Sequence, residues 1–242
     1  MIGYTLIVDT SIYGAAVGLL EEGSSSLKFL NISVDVADSA RQLPLMVNQG
    51  LKQLGLEPSS ISKLLVSKGP GSFTGIRVGL AYAFGFLAGL NISVASEVSI
   101  AGVSSLELIA KKVARDTNRD VIVFLPSTKT TGYWTSSKNG QFEMSSLDFT
   151  RVDTDSLFIQ HKNDDWVIIG DWPLVYDWAA KNKVKSCKQL LGRDAAEISI
   201  KSMATAVSLD DQLCWVSLSS SDLPRAVYLR KSTVEEKAMA DV

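Results

Sequence analysis

The chain opens with three short apolar segments whose composition predicts β-strands. Residues 4–8, 15–20 and 27–34 are rich in aliphatic and β-branched side chains. Between the second and third segments, Glu21-Glu22-Gly23-Ser24 has the composition of a hairpin turn. We therefore expect three antiparallel strands before the first helix.

An amphipathic helix is predicted next, because apolar residues recur at helical spacing after a capping residue. Asp38 or Ser39 can cap its start, and Gly55 can end it. A short buried strand is then predicted at residues 64–66, and a second helical pattern begins at Thr74. The resulting order is β-β-β-α-β-α. The apolar stripe of the first helix consists of Leu43, Met46, Val47, Gly50, Leu51 and Leu54.

The rest of the chain predicts a second α/β unit without a repeat at the sequence level. Asn139-Gly140 is a favoured hairpin turn. Polar residues prevail over 153–165, which predicts a loop or a ragged sheet edge. We expect strands at 91–95, 121–125, 133–135, 141–144 and 166–169, and helices at about 99–114 and 193–207.

A glycine-dense junction joins the strand at 64–66 to the second helix. Its sequence is Gly69-Pro70-Gly71-Ser72-Phe73-Thr74-Gly75-Ile76-Arg77-Val78-Gly79. Free N–H groups at the start of a helix can bind an anion, with Ser72 and Thr74 as hydroxyl donors or caps. Arg77 on the first turn could pair with a carboxylate or an anion. The junction lacks the Lys-Ser/Thr pair of a Walker loop and the G-x-G-x-x-G pattern of dinucleotide folds. Phosphate contact and a purely structural corner both remain open.

Composition describes an ordinary globular chain. The 242 residues include 46% hydrophobic and 21% charged residues, and the formal charge is −2. This length suffices for one large or two small domains. The charge gives no broad basic surface, so contact with RNA is expected to be local or through a partner. Lys181, Lys183, Lys185 and Lys188 alternate with polar residues, a pattern more typical of a solvated face than of an RNA patch.

The cysteines and the first residues favour a reducing, cytoplasmic setting. Cys187 and Cys214 are too few for a disulfide framework, and residues 1–5 do not resemble a signal peptide. An uncharged run spans residues 78–96. Asn91 interrupts it and three glycines dilute it, so a buried or interface helix is preferred to a membrane span.

Residues for catalysis and metal binding are scarce. The only histidine, His161, lies in a polar stretch and is interpreted as a solvated loop residue. A two-histidine metal site and most histidine-activated nucleophiles therefore have no candidate residues. We predict no catalytic residue and no resident metal.

The glycine junction resembles the signature of the bacterial TsaB (YeaZ-like) family. Weaker matches are Val8-Asp9-Thr10-Ser11, Arg41-Gln42-Leu43-Pro44 and Val227-Tyr228-Leu229-Arg230, in the order and spacing of that family. The resemblance covers residues 1 to about 110 and is thin from about 115 to 220. It implies an actin-like (ASKHA, ribonuclease H-like) two-lobed α/β fold with mixed sheets. We expect lobes at 1–98 and 99–230, with the C-terminal segment able to pack back on the first lobe, and a frayed tail at 231–242.

The resemblance also implies a function. TsaB relatives are non-catalytic partners of TsaD, which makes threonylcarbamoyladenosine on tRNA, and a small ATPase, TsaE, is a third partner. TsaD relatives carry a histidine pair on the first helix, whereas residues 37–41 here contain none. The family's second unit often has Asp-Ala-Arg before Glu-Val-Tyr, and here only Tyr133 remains. The resemblance implies a heterodimer with TsaD, a homodimer without it, tRNA contact only through partners, and no membrane association.

A nucleotide site is the remaining implication. No intrinsic cofactor is expected, but ATP or ADP could bind at the interface with TsaD, near Gly69, Gly71, Ser72, Thr74, Gly75 and Arg77. By the actin-like analogy Asp9 could approach a nucleotide-bound magnesium; an Asx turn into Thr10-Ser11 is the alternative interpretation. Rival functions are an actin-like ATP-binding kinase and a glycoprotease-like peptidase.

The second helix is apolar around nearly its whole circumference, and small residues allow close approach of another helix. It is either fully buried within the chain or part of an intermolecular bundle. The resemblance favours the bundle, because TsaB relatives pair through these two helices. The predicted interface is the stripe Leu43, Met46, Val47, Gly50, Leu51 and Leu54 together with Gly79, Ala83 and Phe86.

Overall fold

The structure, a computed structural model, describes residues 3–33, 38–93, 98–138, 141–148, 154–209, 213–217 and 222–226. The motif at 227–230 and the tail at 231–242 lie outside the described residues. The strands are β1 Tyr4–Asp9, β2 Ala16–Glu21, β3 Leu27–Ile32, β4 Ile61–Ser67, β5 Ser99–Val103, β6 Val121–Pro126, β7 Thr131–Lys138, β8 Gln141–Asp148, β9 Asp165–Ile169 and β10 Ser186–Leu190. The helices are α1 Ser39–Gln53, α2 Phe73–Ser93, α3 Ser105–Thr117, α4 Thr154–Gln160, α5 Pro173–Lys181 and α6 Gly192–Ser208.

Two five-stranded mixed sheets have the same topology. The first sheet has the order β3-β2-β1-β4-β5, and the second, read from β8, has the order β8-β7-β6-β9-β10. In each sheet the first three strands are antiparallel and the last two are added in parallel. The structure therefore contains a repeated topology that the sequence does not reveal. The predicted two-lobed α/β fold with mixed sheets is confirmed.

Helices cover both faces of each sheet. Two of them, α3 and α6, follow a strand of one sheet in the chain but pack on the other sheet. On the first sheet, α1 and α2 pack on one face and α6 on the other. On the second sheet, α3 packs on one face, while α4 and α5 cover the other. Helix α3 follows the last strand of the first sheet yet packs on the second, and α6 makes the reverse connection. The crossing of α3 and α6 therefore links the two sheets.

The secondary-structure elements predicted near residue 100 were wrong. Helix α2 continues through Ser93, where a strand at 91–95 was expected. The next strand is β5, which pairs with β4, so the first sheet extends past the boundary predicted at residue 98. Ser104 starts α3 by accepting a hydrogen bond from the Glu107 N–H at 3.3 Å. The helix predicted from about residue 99 therefore begins six residues later, and β5 occupies the segment before the cap.

Three further elements of the second half differ from the prediction. The expected loop at 153–165 contains α4, whose Phe158 is fully buried. Phe158 packs with Trp166, at a ring-centroid distance of 5.3 Å, and this contact holds the short helix against the second sheet. Helix α5 and strand β10 were not predicted at all.

Helix α2 is long and apolar enough to cross a membrane by length and composition alone. The window Phe73–Leu90 has a mean hydropathy of 1.4. A single such helix is weak evidence for a span, because core helices of soluble proteins meet the same criteria. In this structure one face of α2 covers the first sheet.

Candidate functional site

The glycine junction forms a corner at the carboxyl ends of two neighbouring parallel strands. Because β1 pairs in parallel with β4, the loops after these strands meet at one edge of the sheet. Gly69 and Gly71 have φ values of 96° and 150°, which side chains rarely allow. The Ser72 N–H donates to the Ser11 carbonyl at 2.7 Å, which fixes one loop on the other.

Helix α2 and the turn that precedes it lie against the loop that follows β1, residues 10–15, too closely to leave room for a side chain at the contact. A Cβ at Gly75 would collide with the Thr10 carbonyl oxygen, and one at Gly71 with the Ser11 carbonyl oxygen. Thr10 also donates its hydroxyl to the Gly75 carbonyl at 2.6 Å. A Cβ at Gly79 would meet the same Thr10 hydroxyl. The glycines are therefore required by close backbone packing.

The start of α2 leaves polar groups at the surface. Ser72 accepts a hydrogen bond from the Gly75 N–H at 3.1 Å, as predicted for a helix cap. Ser72, Thr74 and Arg77 are exposed. The Arg77 guanidinium lies 3.9 Å from the centre of the Phe73 ring, a cation–π contact. Two hydroxyls and a helix N-terminus thus face solvent at this corner.

Asp9 lies behind the corner as a buried carboxylate, 3% exposed. Its Oδ1 accepts from the Ser11 N–H at 2.7 Å and the Ser11 hydroxyl at 2.6 Å. Its Oδ2 accepts from the Ser105 hydroxyl at 3.0 Å and from the Ser199 hydroxyl. Ser67 completes the cluster, with its Oγ 2.6 Å from that of Ser105 and 2.9 Å from that of Ser11. Both carboxylate oxygens are therefore saturated.

This geometry decides between the two interpretations of Asp9. The bond from the Ser11 N–H is the Asx turn. A magnesium ligand needs an oxygen directed toward the metal and its bound phosphates. The Asp9 oxygens instead face Ser11, Ser105 and Ser199, all of them buried. These residues do not fit a magnesium site.

The sequence analysis did not identify three serines of this cluster, Ser67, Ser105 and Ser199. Ser105 is the first residue of α3 and Ser199 lies in α6, so the cluster joins the two crossing helices to β1. Serine within α6 carries no special sequence signal, since a helical serine usually bonds its own backbone. Only the crossing of α3 and α6 brings these hydroxyls to Asp9.

His161 corrects a second interpretation, because it is not solvated. It is 4% exposed, and its Nδ1 lies 2.6 Å from Asp164 Oδ2. Its carbonyl accepts from the Trp166 indole N–H at 2.8 Å. The pair closes the turn between α4 and β9 in the second sheet, whereas the glycine corner belongs to the first. A base for a peptidase is therefore not placed at the corner.

The stripe predicted as a partner interface is mostly buried within the chain. Gly50 lies so close to the Phe29 ring that a Cβ would come within 2.7 Å of it, which seats α1 on the sheet. Among the predicted interface residues, only Leu54 and Phe86 are partly exposed. The buried ones are Leu43, Met46, Val47, Gly50, Leu51, Gly79 and Ala83. The correction follows from helix phase, because the most regular stripe faces the chain's own core.

Other residues form the outer surface of α1 and α2. Leu45 of α1 is 59% exposed. On α2, Ala81 and Gly85 are exposed one turn apart, and a Cβ at Gly85 would meet nothing within 4 Å. Tyr82 and Phe86 stack beside them, with ring centroids 5.9 Å apart. Partial burial raises the pKa of Tyr82 to about 12, so its hydroxyl is uncharged at neutral pH. Because Ala81 and Gly85 are small and the neighbouring Tyr82 and Phe86 are large, the helix surface is indented at Gly85, and this surface is here called the outer groove.

Comparisons with known proteins agree with the resemblance. The family model for TsaD, tRNA N6-adenosine threonylcarbamoyltransferase, matches residues 36–150. The chain is 32% identical to the TsaB protein of Bacillus subtilis over 105 residues, 43% of this chain and 42% of that protein. It is 29% identical to Escherichia coli TsaB over 106 residues, 44% of this chain and 42% of that protein. The matched region thus spans less than half of either relative.

Solved structures extend the likeness to nearly the whole chain. YeaZ from Pseudomonas aeruginosa has a TM-score of 0.64 at 21% identity and covers 94% of this chain and 100% of its own. A protein with similarity to peptidase YEAZ, from the same organism, has a TM-score of 0.66 at 20% identity and the same coverage. At such identities the likeness shows the fold alone. The chain is therefore related in sequence to the bacterial TsaB proteins and has the fold of the YeaZ structures.

Proposed function

We propose that the chain is a non-catalytic cytoplasmic subunit that supports TsaD in making threonylcarbamoyladenosine on tRNA. The sequence similarity to TsaB proteins supports the pathway. The observation that carries the non-catalytic role is the saturated carboxylate of Asp9. A kinase of this fold class needs a carboxylate that can hold magnesium-bound phosphates, and here serines from α3 and α6 occupy both oxygens.

The outer groove of α1 and α2 is the surface proposed to bind TsaD. Small residues at Ala81 and Gly85 allow a partner helix to approach the α2 backbone, and Tyr82 and Phe86 can pack against its sides. Leu45 extends the apolar surface onto α1. In the absence of TsaD, two copies of the chain would pair through the same groove. TsaE is proposed as a third partner.

A nucleotide is proposed to bind only in the assembled complex. The start of α2 offers Ser72, Thr74 and the positive end of the helix dipole to a phosphate. The corner itself is filled by the contacts of Gly71 and Gly75 with the preceding loop, so the chain alone supplies one wall. TsaD would have to supply the rest of the pocket, including any metal-binding groups.

Reconstitution tests the proposed function. We expect no incorporation of labelled threonine into tRNA when the chain is assayed without TsaD, and markedly reduced incorporation when the chain is omitted from the full mixture. The isolated chain is also expected to show no ATP turnover. Product made without TsaD would contradict the non-catalytic role, and full activity without the chain would contradict the supporting role.

Replacing Gly85 with arginine is expected to weaken binding to TsaD by at least tenfold without unfolding the chain. The new side chain would fill the groove, while its Cβ meets no neighbour within the chain. Isothermal titration with TsaD measures the affinity, and thermal unfolding checks the fold. Ala180→Arg, at an exposed alanine of α5, is the matched control. Equal loss of affinity in both variants would place the interface elsewhere.

A further inference from the structure

Positive charge is concentrated in one segment of an otherwise acidic chain. Residues 178–193 contain five of the 24 lysines and arginines and none of the 26 acidic residues. The net charge of the whole chain is −2, so the remainder is clearly negative. The five side chains are Lys181, Lys183, Lys185, Lys188 and Arg193, here called the basic edge.

The fold brings the basic edge to one border of the second sheet. Lys181 ends α5, and Lys183 lies in the turn that follows, with a φ of 54°. Lys188 is on β10, which within the described part of the chain pairs with β9 alone and so forms the sheet edge. Arg193 begins α6. All five side chains are exposed, and among the described residues none of them is in an ion pair or side-chain hydrogen bond.

Two structural roles, protection of a sheet edge and interaction with a helix dipole, explain only some of these five cations. Lysine on an edge strand prevents pairing with another sheet, but only Lys188 lies within β10. A lysine at a helix C-terminus interacts favourably with the dipole, and this applies to Lys181 alone. Arg193 is on the first turn of α6, where the dipole disfavours a cation. Lys183, Lys185 and Arg193 are therefore left for another role.

We infer that the basic edge binds the phosphate backbone of RNA, and this inference rests on the proposed role in tRNA modification. Unpaired, exposed lysine and arginine side chains without intervening carboxylates are the groups that neutralise phosphates and release counterions. A protein partner is less well matched, because protein interfaces are depleted in lysine and have an apolar centre. In this segment Leu191 is the large apolar side chain that is exposed. The sequence alone favoured a solvated face here, and the structure adds the unpaired edge.

The test uses the full chain, an unmodified tRNA transcript as probe, and two variants of equal charge change. The edge variant is Lys181→Gln, Lys185→Gln, Lys188→Gln and Arg193→Gln. Lys183 is left unchanged, because its backbone is in the left-handed conformation. The control variant is Lys129→Gln, Lys138→Gln, Lys162→Gln and Arg225→Gln, which removes four exposed cations elsewhere. Fluorescence anisotropy at several salt concentrations gives the affinity and its salt dependence, and circular dichroism checks folding.

The edge variant is expected to lose at least tenfold in affinity. The magnitude of its negative slope of log affinity against log salt is expected to decrease by about 3, since four cations are removed and each phosphate contact contributes about 0.7 to 0.9. The control variant should remain near wild type. Equal losses in both variants, or no binding by wild type, would overturn the inference. Binding of polyglutamate as tightly as tRNA would also overturn it, in favour of an acidic protein segment.

Assembly with TsaD separates this inference from the proposed function. The edge variant should bind TsaD as wild type does, because the basic edge lies on the second sheet and the proposed groove on α1 and α2. Wild type that binds TsaD but not tRNA would overturn the basic edge alone. Wild type that binds tRNA through the edge but not TsaD would contradict the proposed function and leave the edge intact.

Discussion

Replacing Gly75 with alanine is expected to lower the free energy of unfolding by about 3 kcal/mol, at the upper end for overpacked sites. The added Cβ would collide with the Thr10 carbonyl oxygen, a backbone atom that cannot rotate away. Relief requires α2 to move off the first sheet, which would also break the bond from the Thr10 hydroxyl to the Gly75 carbonyl. Urea unfolding followed by circular dichroism measures the change.

Gly85→Ala is the control for this prediction, because the same substitution in the same helix meets open space. Alanine favours the helical conformation over glycine, so this variant is expected to be about 0.5 to 1 kcal/mol more stable than wild type. If the two variants had the same stability, close packing at the corner would not be the reason for Gly75.

Replacing Asp9 with alanine is expected to lower the free energy of unfolding by about 3 kcal/mol or more, since hydrogen bonds to a charged group contribute about 1.5 to 3 kcal/mol and buried donors are left unsatisfied. The hydroxyls of Ser11, Ser105 and Ser199 would lose their common acceptor in a buried site. Because Ser105 and Ser199 lie on α3 and α6, the loss should also loosen the crossing of these helices. Hydrogen exchange in both helices should therefore accelerate.

Asp116→Ala provides the comparison for Asp9. Asp116 is exposed and pairs with Lys112 one turn away in α3, at 2.9 Å. Such a surface pair contributes about 0.3 to 0.5 kcal/mol. Asp9→Ala within this small range, or unchanged exchange in α3 and α6, would show that the serine cluster does not join the two sheets.

These variants separate two ways of losing assembly with TsaD. Gly75→Ala and Asp9→Ala would act through the stability of the corner, so their binding defect should shrink at low temperature, where the folded population recovers. Gly85→Arg would act on the groove itself, and its defect should persist wherever the chain is folded. Titration with TsaD at two temperatures distinguishes the two causes.

The N-terminal half could be predicted from local sequence patterns. Alternating or continuous apolar segments gave β1 to β4, because strand and core periodicity is a local property. The glycine junction indicated a sharp strand-to-helix corner, since few residues tolerate its backbone angles. The resemblance to TsaB also rests on this region, and the comparisons confirm it.

Several elements of the second half were not predicted, because tertiary contacts there override local sequence preference. Helix α4 is only seven residues long in a mainly polar stretch, and the aromatic cluster around Trp166 holds its Phe158 in place. His161 looked solvated because its neighbours are polar, yet Asp164 lets it be buried. Local composition carries no information about such distant or paired contacts.

The sequence by itself determined the alternation of strands and helices, the glycine corner and the family resemblance, because these depend on neighbouring residues. Only the tertiary structure decided that the apolar face of α1 packs on the chain's own first sheet, how Asp9 is used, and that the lysines lie along the edge of the second sheet. Each of these depends on residues distant in sequence: the first sheet beneath Gly50, the serines of α3 and α6, and the pairing of β10 with β9. Packing brings those groups together, and no local pattern specifies it.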